Sequence, residues 1–153
     1  MSQIPVQMAD AKGLEEIIDI DSLKVLILDD DIFCGEESNW CIGVANGIIH
    51  TDENGREHDR DFLTITTKDA KTYAQLKDRF LHELGHQFNA APEGRSNTKE
   101  HLGSHCTNNL CVMQQRDTVK GQEILSRNRI RAKAPAYCNQ CTADLIYAAR
   151  AES

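Results

Sequence analysis

Two histidines four residues apart, with a glutamate directly after the first, commit one stretch of this chain to a helix: His82-Glu83-Leu84-Gly85-His86. Residues at that spacing share a helix face, so both imidazoles can reach one metal ion. Glu83 is displaced by about 100° around the axis, where its carboxylate can approach a water beside that metal without being a ligand. Zinc lowers the pKa of such a water to about 7, and a carboxylate can then take its proton and pass it to a leaving amine. The chemistry served by this pattern is peptide hydrolysis, with Glu83 as general base. The plain alternative is a surface helix that carries two histidines at that spacing.

The flanking residues supply the helix. Apolar side chains at Ala70, Tyr73, Leu76, Phe80, Leu81, Leu84 and Phe88 recur every three or four residues and predict an amphipathic helix over 70–88. Thr67 or Asp69 can cap its start, and Pro92 lies just beyond an end near Asn89.

A catalytic zinc takes three protein ligands and keeps one position open. His101 and His105 follow in a loop-like segment, and either can be the third. Directly after His105 begins a cysteine pattern, Cys106-x4-Cys111 and Cys138-x2-Cys141. Two short chelating pairs separated by a longer stretch have the spacing of a structural tetrahedral zinc site. Two disulfides or four buried thiols are the other ways to use them. Met1 to Gly13 has neither a basic stretch nor an apolar core of the secretory kind. The longest strongly apolar run, Val25 to Leu28, is far too short to span a bilayer. These features predict a cytoplasmic protein with reduced thiols, where clustered cysteines serve as metal ligands.

At this point the residues resemble a family. His82-Glu83-x-x-His86, His105-Cys106-x4-Cys111-Val112-Met113 and Cys138-x-x-Cys141 occur together and in the order found in the archaemetzincins, a group of zinc metallopeptidases. The segments Leu23 to Leu28, Asp31-Ile32-Phe33 and Asn39 to Ala45 are similar too, so the resemblance covers residues 23–141. It implies that His82, His86 and His105 bind a catalytic zinc, with Glu83 as base and then acid. It implies a second, structural zinc on Cys106, Cys111, Cys138 and Cys141. Met113 would match the methionine beneath the catalytic metal. Cys41, Ile42, Gly43, Val44 and Ala45 would match the sheet edge along which a peptide or protein substrate aligns as an added strand.

The chain departs from the family pattern in one place. The family has glycine three residues after the second histidine and its third histidine three residues later. Here Asn89 stands at the glycine position, and residues 90–100 form a polar, loop-like insertion before His105. Asparagine is the usual substitute for glycine at positive φ, so the turn can survive, and a longer loop adds little closure entropy. His105 is favoured over His101 by its adjacency to Cys106. In an extended segment neighbouring side chains point opposite ways, so one can serve each metal.

The remaining chain reads as one small α/β metallopeptidase domain over 1–153. A helix is expected near Leu14 to Ile18, then strands near Leu23 to Leu28, Trp40 to Ala45 and Phe62 to Thr67, with Gly47 to His50 extending or adding one before the turn at Asp52 to Gly55. After the active-site helix come an irregular zinc-rich region, a short helix near Gln122 to Arg127 and a terminal helix from Gln140 to Ala151. Strands before helices suggest a small mixed sheet with the active-site helix packed on one face, a metzincin-like arrangement. The net charge of −7 disfavours nucleic acid and anionic membranes as partners. Cys34 and Cys41 are expected as free thiols, His50 and His58 as surface residues, and Asp29 to Asp31 as a charge cluster at a strand end. No oxyanion-stabilising residue can be chosen among Tyr73, Tyr137 and Tyr147. Two other functions use parts of the same pattern: a zinc-stabilised binding protein without activity, and a redox protein built on Cys138-x-x-Cys141.

Overall fold

The computed structural model describes residues 4–5, 24–30, 32–33, 40–51, 54–55, 57–99, 103–116 and 118–151. Within them the chain is a mixed α/β protein, strands first and helices after, that divides into two compact units, Met1–Lys68 and Asp69–Ser153. The expected helix near Leu14 to Ile18, together with Cys34 and His101, lies outside the described residues.

The first unit holds two three-stranded sheets. In one, β1 (Ile4–Pro5) runs parallel to β3 (Ile32–Phe33), which pairs antiparallel with β4 (Trp40–Cys41). In the other, the order is β2 (Lys24–Leu28), β6 (Glu57–Thr66), β5 (Gly43–Thr51). β5 and β6 pair antiparallel on either side of the turn expected at Asp52 to Gly55, with His50 opposite His58, so the strand expected at Phe62 to Thr67 begins earlier, at Glu57; β2 joins β6 in parallel. The central strand β6 buries both faces, Leu63 and Ile65 on one and Thr64 and Thr66 on the other. At the strand ends Thr66 Oγ1 donates to the Asp30 carbonyl and Thr67 Oγ1 to the Asp29 carboxylate, consistent with the strand-end reading of the aspartates.

The expected strand over Trp40 to Ala45 is two strands, divided at Ile42. Cys41 is disulfide-bonded, which corrects its expectation as a free thiol. A disulfide requires a second Cβ within about 4 Å, a tertiary proximity that spacing along the chain does not encode. No helix among the described residues is long and apolar enough to cross a membrane.

Among the described residues the second unit contains three helices, α1 (Tyr73–Gln87), α2 (Val119–Arg131) and α3 (Asn139–Ala151). The cap of α1 is neither Thr67 nor Asp69 but Thr72, whose hydroxyl accepts from the Gln75 amide while the Gln75 side chain returns to the Thr72 amide. Asp69 adopts φ of +58°, so the chain turns there before the helix begins. At the other end Asn89 takes φ of +56°, the left-handed conformation expected for a glycine substitute.

The apolar stripe of α1 is not its most buried surface. Its buried residues are Gln75, Asp78, Arg79, Glu83 and Gly85, while Tyr73 is 81% exposed. The reason is polar packing on α2: Ser126 Oγ donates to Asp78 at 2.5 Å, Arg129 forms an ion pair with the same carboxylate, and Arg79 Nε donates to Gln122 at 2.8 Å. Helix α2 is also longer than expected, because Thr118 caps it a turn earlier and the tight turn at Lys133 (φ of +50°) closes it later.

Asp78→Ala strips the carboxylate from a buried ion pair and leaves Arg129 uncompensated. The expected loss is about 3 kcal/mol in urea unfolding, against less than about 0.5 kcal/mol for Tyr73→Ala on the exposed side. Equal effects would mean that the Asp78 contacts contribute nothing to α1–α2 docking.

Candidate metal centres

Three imidazoles converge in the second unit. His82 and His86 come from one face of α1, and His105 comes from the segment after the insertion. Their ligand nitrogens all lie within 4.8 Å of one another. His82 Nε2 and His86 Nε2 are 3.1 Å apart. A tetrahedral zinc with Zn–N bonds of 2.0–2.1 Å requires ligand nitrogens separated by about 3.3 Å. The rings surround a common point: the His105 centroid is 5.2 Å from that of His82 and 4.8 Å from that of His86.

The protonation states suit a cation. Burial pushes the His82 imidazole down to about 4 and the His86 imidazole down to about 3, so both are neutral near pH 7, as metal ligands must be. The second nitrogen of His82 is committed elsewhere. His82 Nδ1 lies 2.6 Å from the Val112 carbonyl, which makes it the donor and leaves Nε2 with its lone pair toward the other two rings. Glu83 occupies the next position on α1 and is buried.

Four thiols form a second cluster. Cys106, Cys111, Cys138 and Cys141 are all free, and their sulfurs also fall within 4.8 Å of one another. Cys106 Sγ and Cys138 Sγ are 3.7 Å apart. That separation excludes a disulfide, which needs about 2.05 Å, and fits the edge of about 3.8 Å expected for a zinc tetrahedron with Zn–S bonds of about 2.3 Å. Without a cation the set titrates unevenly. Hydrogen bonds from Cys111 and Cys141 hold Cys106 far below the usual thiol range, whereas the same contacts push Cys111 up to about 12 and Cys141 higher still. One thiolate forms readily, and the hydrogen bonds it accepts oppose deprotonation of Cys111 and Cys141. A bound dication reverses that opposition.

The two clusters share one piece of chain. His105 and Cys106 are adjacent yet serve different clusters, as the alternation of an extended segment predicts. The Cys106 amide donates to the Met113 carbonyl at 2.9 Å, closing the loop that carries Cys111 and Val112. Met113 is fully buried, and a Cβ at Gly85 would overlap its Sδ, so the thioether sits against the α1 backbone beside His86. Tyr137 packs at the same glycine and donates its hydroxyl to the Leu81 carbonyl at 2.5 Å. That hydroxyl is therefore engaged with the backbone, while Tyr73 and Tyr147 are largely exposed.

The structure thus brings together His82, His86 and His105, and separately the four cysteines. Residues Gly43, Val44 and Ala45 open β5, which among the described residues pairs only with β6 and is an edge strand. Cys41 and Ile42 precede it, with Cys41 in β4 of the other sheet. Sequence reasoning missed the Val112 carbonyl, since a backbone acceptor carries no side-chain signature. It also missed Gly85, whose place between Leu84 and His86 had a meaning only once Met113 was seen to pack on it. Comparison of the chain with family models, with curated proteins and with solved structures gave no match.

Gly85→Ala should drive Met113 from its place, costing about 1–3 kcal/mol of stability by overpacking. It should also weaken metal retention at the histidines more than at the cysteines, read as metal per chain after dialysis against a chelator. Unchanged retention at both sites would show that Met113 does not support the histidine cluster.

Proposed function

We propose that this chain is a zinc-dependent peptidase of the archaemetzincin type, on a minimal metzincin-like scaffold. One observation carries the reading: three histidines converge at ligand spacing, two of them from the helix that also bears Glu83. The cysteine cluster next to it fits a structural zinc, so two zinc ions are the implied cofactors.

Zinc held by His82, His86 and His105 would supply Lewis acidity, lowering the pKa of a water and polarising a peptide carbonyl. The chain's own groups do the rest. The Val112 carbonyl fixes the tautomer and ring orientation of His82. The Glu83 carboxylate takes the proton of the attacking water and delivers it to the departing amine, the dual role of a general base and acid. Cys106, Cys111, Cys138 and Cys141 would hold a structural ion, on the loop that also carries His105 and Met113. The strand β5, which among the described residues pairs only with β6, would take an extended peptide as an added strand.

Glu83→Gln is the direct test. Protein purified without added metal should carry two zincs per chain in both wild type and variant. Cleavage of a mixed peptide library by the wild type should fall by about 10²–10⁴-fold in the variant and stop in the wild type on treatment with a chelator. Full activity in Glu83→Gln would remove the assigned base. Two zincs with no cleavage of any peptide would instead identify a zinc-stabilised binding protein on the same scaffold.

A further inference from the structure

Residues 90–100, the insertion between the second and third histidines, do not form a free-standing loop. Past the Ala90 amide, which bonds back to the Gly85 carbonyl of α1, the anchors described for them on a helix fall on α3, the helix that bears Cys141. The Ala91 amide donates to Asp144 Oδ2 at 3.2 Å, Arg95 forms an ion pair with Asp144, and Gln140 Nε2 donates to Ser96 Oγ at 2.7 Å. The insertion then pairs with the cysteine loop itself, through the Thr98–Cys106 bridge and the Thr107 amide bonded to the Asn97 carbonyl at 2.8 Å.

These contacts deliver one side chain to the sulfurs. Asn97 is 5% exposed, and its Nδ2 lies 3.3 Å from Cys106 Sγ and 3.5 Å from Cys141 Sγ. A carboxamide nitrogen carries two hydrogens and no accepting lone pair, so both contacts are N–H···S donations. The two sulfurs belong to different chelating pairs. Backbone amides add two further donors, Asn108 to Cys106 Sγ and Cys138 to Cys111 Sγ, each at 3.4 Å. Those come from residues within or beside the cysteine motif. Asn97 alone reaches the sulfurs from outside it and alone spans both pairs among the described contacts.

We propose that Asn97 is a positioning residue of the cysteine centre: its carboxamide ties the Cys106–Cys111 pair to the Cys138–Cys141 pair, and the insertion is the support that holds it there. Four thiolates around one zinc leave a net charge of about −2. Donors to sulfur disperse that charge and fix the sulfur directions, which raises metal affinity as partners of ligand atoms generally do. The inference rests on the reading of the four cysteines as a metal site. It makes the insertion part of that site.

Asn97→Asp keeps the shape of the side chain but replaces both donors with an anionic oxygen. Zinc affinity of the cysteine centre, measured by competition with a chromophoric chelator, should fall at least about 10-fold. In cobalt-substituted protein the thiolate-to-cobalt charge-transfer band should move to lower energy, because sulfurs that lose donors hold their electrons less tightly. Asn97→Ala should move the band in the same direction and serves where the aspartate prevents folding. Arg95→Ala, which loosens the same loop at Asp144 but keeps the carboxamide, should move the band in the same direction by less than either Asn97 variant. Wild-type affinity and band energy in both Asn97 variants would overturn the role of Asn97 while leaving the metal site in place. A wild-type protein with no cobalt–thiolate band at all would overturn the metal site and the inference together.

Discussion

The hydrogen bond between His82 Nδ1 and the Val112 carbonyl, 2.6 Å long, is the contact on which the geometry of both clusters turns. Val112 lies between Cys111 and Met113, in the loop closed by the Cys106–Met113 backbone bond, and its own amide donates to Ala136 at 2.9 Å. The loop is therefore pinned on one side to the stretch leading into Cys138 and on the other to helix α1. Anything that shapes the sulfurs also sets the ring of His82, the place of His105 and the pressure of Met113 on Gly85. An orienting partner at the far nitrogen of a ligand histidine is a general feature of metal sites. Here that partner is backbone, so its position depends on how the cysteine loop folds rather than on a rotamer.

This dependence extends to stability. The buried cluster of the second unit is Ala90, Ala91, Cys106, Cys111, Met113 and Cys141, with Tyr137, Cys138 and Leu145 packed around it. Three of the six buried members are candidate ligands, and two more are alanines, which bury little apolar surface each. The α1–α2 contact adds polar groups, Asp78, Arg79, Gln122 and Ser126, whose pairing largely offsets their desolvation without adding much net stabilisation. A unit built this way has few large aliphatic side chains with which to oppose chain entropy. A structural ion fills that role in small domains, because its binding free energy is available only to the folded chain. The crowding of four thiols, costly without a cation, is what a core able to hold one would require.

Much of this was legible in the sequence because the chemistry is written in side chains at fixed spacing. His82, Glu83 and His86 required a helix, and the helix is there; the paired cysteines suggested one tetrahedral site, and their four sulfurs meet within 4.8 Å, with Cys106 and Cys138 at the edge length. Asn89 announced its positive φ through its residue type. What stayed hidden was of three kinds. Backbone groups such as the Val112 carbonyl have no residue signature. Long-range proximities, such as the disulfide at Cys41, are properties of the fold rather than of spacing. Buried polar faces invert the usual pattern: α1 was read by its apolar stripe, while Asp78 and Arg79 on another side make the contact with α2. The cap was missed for a related reason, since Asp69 has a capping residue's composition but turns left-handed three residues too early.

The interval before His105, long against the compact spacing of the pattern that the sequence resembles, does not keep its ring from those of His82 and His86. The segment from His86 to His105 is roughly three times as long as the compact spacing, and loop closure over that ratio costs only about 1 kcal/mol. Even that figure applies to a flexible loop. This one leaves α1 through the left-handed turn at Asn89, where the Ala90 amide bonds back to the Gly85 carbonyl at 2.8 Å, and is then held on α3 by Asp144 and Gln140. Its far end is fixed by the pairing of Thr98 with Cys106. The position of His105 is thus set by its covalent neighbour Cys106, which belongs to the sulfur cluster, and not by the contour length of chain behind it. A third ligand placed from its C-terminal side tolerates an insertion on its N-terminal side, and that is the physical condition under which the motif can lengthen and the three imidazoles still meet.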